Sequence, residues 1–220
     1  MSKQFWILLA VVAVALGGVF FATKPTSTTS STNSTASVTN HIEGKGTSGV
    51  MLQEYGDYQC PVCGTFFSTL EQVRAKYGDQ LAFQFSNLPL TQLQPDAFAA
   101  ARAAEAAGLQ GKYFEMHALL YQNQSAWSSS KDAAVIFNSM AQQLGLNMTQ
   151  FKSDYDSTKV NNAINADISA FNKTKSDLAT PTFFLDGKKV KNTDLFGTNG
   201  PSVEKFTKLI DAEIAAKSHK

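Results

Sequence analysis

Between residues 48 and 217, the apolar positions of this chain switch between two periods. Val50 to Tyr55 (VMLQEY) reads as a buried strand. Phe66, Phe67, Leu70, Val73 and Tyr77 recur at helical spacing, predicting a helix from Cys60 to about Tyr77 with Gly78 as its stop. Leu81 to Phe85 (LAFQF) alternates like a second strand, closed by Asn87-Leu88-Pro89. Strand, helix and strand in so short a stretch predict a βαβ unit with neighbouring parallel strands. From Asp96 to about Asp177 the pattern is helical, in five segments: Ala97–Ala107, Lys112–Tyr121, Lys131–Leu144, Met148–Tyr155 and Val160 to about Asn172. The sheet pattern then returns in Thr182–Leu185 (TFFL). Asp186-Gly187 signals a hairpin into Lys188-Lys189-Val190-Lys191. Pro201 marks the expected start of a last helix carried by Val203 to Ala216. The predicted class is α/β, with an all-helical block at about 95–177 inserted between two parts of a sheet.

The segment before this domain has a different pattern. Phe5 to Ala22 (FWILLAVVAVALGGVFFA) carries no charge, and as a helix it would span roughly 27 Å, close to a bilayer core. Lys3 and Lys24 flank it. The run is longer than a usual signal core, and Phe20 spoils a small-residue cleavage site ending at Ala22, so residues 1–22 read first as a signal anchor, with a cleaved signal peptide as the alternative. Residues 23–47 read as a flexible tether, because 12 of the 18 residues from Thr23 to Asn40 are Ser or Thr. Composition adds exclusions. A net charge of +1 gives no basic excess for nucleic acid. Two cysteines in 220 residues do not make a disulfide scaffold.

Those two cysteines stand as Cys60-Pro61-Val62-Cys63 at the predicted strand-to-helix turn. A structural bridge there would close so small a loop that it adds only about 2 kcal/mol. A cycling dithiol fits better. At the helix start, the unpaired N–H groups of Val62 and Cys63 and the positive end of the helix dipole favour a thiolate on Cys60. Pro61 loses nothing in the first turn, where its missing N–H has no partner anyway. Cys60 is expected to be the exposed nucleophile and Cys63, one turn in, the resolving thiol. His117, among Phe114, Met116, Leu119 and Leu120, reads as a core histidine, and no zinc-ligand spacing accompanies the cysteines.

Three features together resemble the DsbA-like thiol–disulfide oxidoreductases of the thioredoxin superfamily, over roughly residues 48 to 217. They are Glu54-Tyr55-Gly56-Asp57-Tyr58-Gln59-Cys60-Pro61-Val62-Cys63, the Thr180-Pro181-Thr182-Phe183-Phe184-Leu185-Asp186-Gly187 segment, and the helical insertion between them. The resemblance implies a cis bond before Pro181 and a loop facing the cysteines, where the Thr180 backbone pairs with an extended substrate. It places Pro61 and Val62 beside that substrate. It also implies that Glu54 lies beneath the active site and helps move a proton to or from the buried cysteine. Many members pair this acid with a basic residue on the next strand, but Leu81 to Ser86 contains no Lys or Arg.

The functional expectation is an extracytoplasmic, membrane-tethered oxidoreductase that forms disulfides in reduced secreted proteins through Cys60 and Cys63. It is expected to be a monomer that needs no cofactor. The resemblance implies a quinone-linked membrane partner for reoxidation. An exported reductase or isomerase is the alternative within this chemistry. A carrier holding a soft ion such as Cu(I) between two thiolates is the alternative from another class, although the CPVC loop has no His or Met to complete such a site. Val62 supplies no positive charge beside the second cysteine, so a weaker oxidant is expected than in members with His there.

Overall fold

The computed structural model describes residues 40–218; the expected anchor and most of the expected tether lie outside them. Among the described residues no helix is long and apolar enough to cross a membrane. A five-stranded sheet has the order β1-β3-β2-β4-β5, from strands His41–Glu43 (β1), Val50–Gly56 (β2), Leu81–Asn87 (β3), Thr182–Leu185 (β4) and Lys188–Val190 (β5). β2 and β3 run parallel across helix Pro61–Tyr77 (α1), as the βαβ pattern predicts. The remaining pairs are antiparallel. Asp186-Gly187 makes the β4–β5 turn, both residues at positive φ.

The helical block runs Ala97–Gly108 (α2), Tyr113–Gln122 (α3), Gln124–Ser128 (α4), Ala133–Gln143 (α5), Met148–Tyr155 (α6) and Thr158–Lys173 (α7). The short α4 is a sixth helix beyond the five expected. A two-stranded hairpin, Phe196–Gly197 (β6) with Gly200–Pro201 (β7), precedes the last helix, Val203–Ser218 (α8). Pro201 therefore does not start a helix. It pairs with Phe196, while Ser202 accepts a hydrogen bond from the Lys205 amide at the start of α8.

Two further expectations change. The tether ends sooner than residue 47, because β1 lies within it and pairs antiparallel with β3 from Glu43↔Phe83 to His41↔Phe85. His41 stacks on Tyr113 and bonds the Glu105 carboxylate at 2.9 Å. The alternation read in β3 does not separate an inner from an outer face: all seven residues are buried. Strands covered on both sides need no polar face. On one face Phe183 meets Phe66 of α1 and Phe206 of α8; on the other Tyr55 and Phe184 pack with Phe171 of α7. Side chains alternate along β2, so Glu54 points to the same face as Leu52, toward α1.

Candidate active site

Cys60 is the residue before the first turn of α1, with extended backbone (φ −71°, ψ 120°), and Pro61 occupies that turn. The Cys60 N–H donates to the Asp57 carbonyl, and the Gly64 N–H to the Cys60 carbonyl, both at 3.1 Å. Both thiols are free. The Thr180–Pro181 bond is cis, as the resemblance implies. Its loop lies directly over the nucleophile: Cys60 Sγ is 3.5 Å from the Thr180 carbonyl oxygen, to which it donates when protonated. The Asn192 amide holds the loop from behind, donating to the Pro181 carbonyl at 2.7 Å.

The loop also corrects one expectation. Cys60 is only 9% exposed, so it is not an open nucleophile, although it is more accessible than Cys63 at 1%. Val62, at 45%, is the exposed residue of the motif.

The electrostatics divide the two sulfurs sharply. The Cys60 thiol is pulled down to about 5, chiefly because the Cys63 S–H donates to its thiolate. Burial opposes this, while the Thr180 side chain and the N–H groups of Cys63 and Val62 add to it. The Thr180 hydroxyl is buried with no partner in the dithiol form, so its proton is free to turn toward the thiolate. Cys63 is pushed well above the ordinary thiol range, first by burial and then by its bond to Cys60. The pair therefore holds one proton at neutral pH, on the inner sulfur.

Glu54 is 1% exposed, and in the sheet it sits between Phe85 of β3 and Phe183 of β4. Burial, and then the negative charge of Cys60, raise it to about 8, and its Oε1 has no hydrogen-bond partner. β3 brings it no cation. An acid between two phenyl rings without a counter-charge stays protonated at neutral pH.

Several residues at the site are not marked by sequence reasoning. Asp57 stands inside the quoted motif, and its carboxylate accepts from the N–H groups of Gln59 (2.7 Å) and Leu90 (2.8 Å), tying the β2 end to the loop after β3. Burial raises it to about 6, against the pull of those two bonds. Gln124 and Asn192 come from distant elements. His117 is buried against the Tyr58 hydroxyl at 3.1 Å, and burial holds its pKa well below the usual range, so it is a neutral core residue. Among the described residues, no three His, Cys, Asp or Glu side chains converge as ligands for a metal ion.

A sequence profile described as Thioredoxin matches residues 36–212. The chain is 38% identical over 157 residues to the Na(+)/H(+) antiporter NhaA 1 of Mycobacterium sp. (strain KMS), covering 69% of this chain and 24% of that protein. It is 31% identical over 150 residues to NhaA 1 of Salinispora arenicola (strain CNS-205), covering 68% and 22%. The chain thus spans about a quarter of the length of these curated relatives. Among solved structures, oxidised BdbD from Bacillus subtilis superposes with a TM-score of 0.67 at 21% identity, covering 80% of this chain and 93% of that one. α-DsbA1 from Wolbachia pipientis gives 0.66 at 21%, covering 81% and 92%. A thioredoxin-like oxidoreductase from Silicibacter pomeroyi gives 0.64 at 22%, covering 79% and 91%. These likenesses establish the fold with its helical insertion, and the sequence match establishes the wider group: the chain belongs to the thioredoxin family.

Proposed function

We propose that this chain is a protein thiol–disulfide oxidoreductase working in the oxidising direction on cysteines of secreted proteins. One observation carries the reading. A low-pKa sulfur at a helix N-terminus lies 3.5 Å from the carbonyl before a cis-proline, with a protonated partner thiol beneath it. The cycle starts from the Cys60–Cys63 disulfide. A substrate thiolate attacks Cys60 Sγ, an S–S bond forms between them, and the Cys63 sulfur leaves and takes a proton. Glu54, buried and protonated, is placed to supply it. A second substrate thiolate then attacks the substrate sulfur of the mixed disulfide and expels Cys60 as a thiolate. The substrate loses two electrons and the enzyme pair gains them. The depressed pKa of Cys60 makes it a good leaving group, which favours this direction. Thr180 presents its backbone to an extended segment, and Pro61 and Val62 border it.

The apolar run of residues 5–22 supports a single-pass anchor, and its N-terminal position together with a dithiol suited to an oxidising compartment favours an extracytoplasmic catalytic domain. Return to the disulfide needs a two-electron acceptor, for which a quinone-linked membrane partner is proposed. The direct test uses a reduced model substrate. Cys60→Ser should abolish disulfide formation, and Cys63→Ser should accumulate substrate joined to Cys60. Full activity of Cys60→Ser overturns the mechanism.

A further inference from the structure

The tripeptide Tyr58-Gln59-Cys60 leads into α1 and is gripped from the helical block. Gln124 Nε2 donates to two of its carbonyls, Tyr58 at 2.7 Å and Cys60 at 2.9 Å. The Gln59 side chain reaches the other way, accepting from the Asp96 N–H at 2.7 Å and donating to the Ser128 carbonyl at 3.4 Å. The orientation of the Gln124 amide is settled by chemistry, since its oxygen turned inward would face two carbonyl oxygens. Gln124 opens α4, and that helix is fixed by Trp127, which is fully buried, meets Phe137 edge to face and donates to the Leu120 carbonyl at 2.7 Å. A second feature serves the same contact. A Cβ at Gly64 would lie 2.6 Å from Gln124 Oε1, so the glycine in the first turn of α1 leaves room for the amide.

We infer that Gln124 is a positioning residue through which the helical block holds the Cys60 sulfur at its backbone donors and against Thr180. The inference rests on the exchange reading above. The Val62 and Cys63 N–H groups act on the Cys60 thiolate only while the tripeptide keeps its place. Gln124 fixes two of the three carbonyls that set that place.

The test is the pH dependence of iodoacetamide reaction with the reduced chain, read alongside disulfide formation in a model substrate. Gln124→Glu keeps the shape but turns donor into acceptor, and Gln124→Ala removes the group. Both should raise the Cys60 titration midpoint and slow alkylation at pH 5 by about three- to tenfold. Gly64→Ala displaces the flexible amide and leaves the backbone of α4 in place, so it should move the midpoint the same way even if the Gln124 variants fold poorly. Near-wild-type titration in Gln124→Glu or, where that variant fails to fold, in Gly64→Ala overturns the positioning role. If the wild type itself neither titrates below an ordinary thiol nor exchanges disulfides, the exchange reading falls and takes this inference with it. Normal wild-type exchange with unchanged variants removes the inference alone.

Discussion

In the dithiol state Glu54 and Cys60 titrate on opposite sides of their ordinary values, and the two shifts move stability with pH in opposite senses. Glu54 rises from 4.5 to about 8 in the fold. Between those values the native chain holds a proton that the unfolded chain has lost, so this contribution is complete below about 4.5 and is lost as pH climbs to 8. Cys60 falls from 9.0 to about 5. Its contribution is complete above 9 and is lost as pH drops through 5. In the wild-type reduced chain the two slopes partly cancel. Glu54→Gln removes the falling one without adding a charge. From pH 5 to pH 9 the stability change of the reduced variant should therefore exceed the wild type's, in the stabilising direction, by at least about 1 kcal/mol. Urea midpoints of both reduced proteins at pH 5, 7 and 9 give the comparison, and parallel profiles would show that Glu54 is not held protonated.

At the scale of elements, β1 is the piece that the hydrophobic pattern does not reveal, and Gly44 shows how tightly it is docked. Gly44 has φ +77°, and a Cβ there would lie 2.0 Å from the Leu81 carbonyl oxygen, a backbone atom with nowhere to go. Gly44→Ala should detach β1 from β3 and break the ion pair of Glu43 with the largely buried Arg74. A loss of about 2 kcal/mol or more is expected, read as a drop of several degrees in Tm by circular dichroism. An unchanged Tm would mean that β1 adds nothing to the fold. The reasons β1 and α4 escape sequence reading are physical. His41-Ile42-Glu43 has one apolar residue in three and adjoins the Ser/Thr tract, and Gln124–Ser128 is too short for a 3.6-residue period to repeat. The longer elements were legible because each buries a full face: the seven buried positions of α1 include all five read from periodicity. Within the site, Cys60, Cys63 and the cis Pro181 were legible because their chemistry is local to short motifs. Gln124 and Asn192 were not, because an amide that donates to a carbonyl 64 or 11 residues away looks like any surface amide until the chain has folded.

The direction of exchange belongs to the whole molecule, because a reduction potential compares the stabilities of two complete folds, dithiol and disulfide. The Cys60 thiolate exists only in the dithiol form. With its pKa near 5, it stabilises that form by about 1–2 kcal/mol at pH 7, discounted from the full shift because the sulfur still touches solvent. At about 1.4 kcal/mol per 30 mV this makes the pair more oxidising by roughly 20–45 mV than an unperturbed dithiol in the same fold. Val62 faces solvent and offers the thiolate only its backbone N–H. Its side chain cannot add the stabilisation that a cationic residue beside Cys63 would give. The potential should accordingly lie between about −270 mV, where thioredoxin sits, and about −120 mV, where DsbA sits. Equilibration of the reduced chain with glutathione buffers measures it. A value at or below the thioredoxin end would reverse the direction proposed here. The chain would then be an electron donor to substrate disulfides, with a partner that supplies electrons instead of removing them. Val62→His offers an internal check, because adding a partial positive charge to the motif stabilises only the dithiol form. It should move the potential toward the oxidising end and lower the Cys60 titration midpoint together. A variant that shifts the potential with no change in that midpoint would show that thiolate stabilisation is not what sets the poise of this fold.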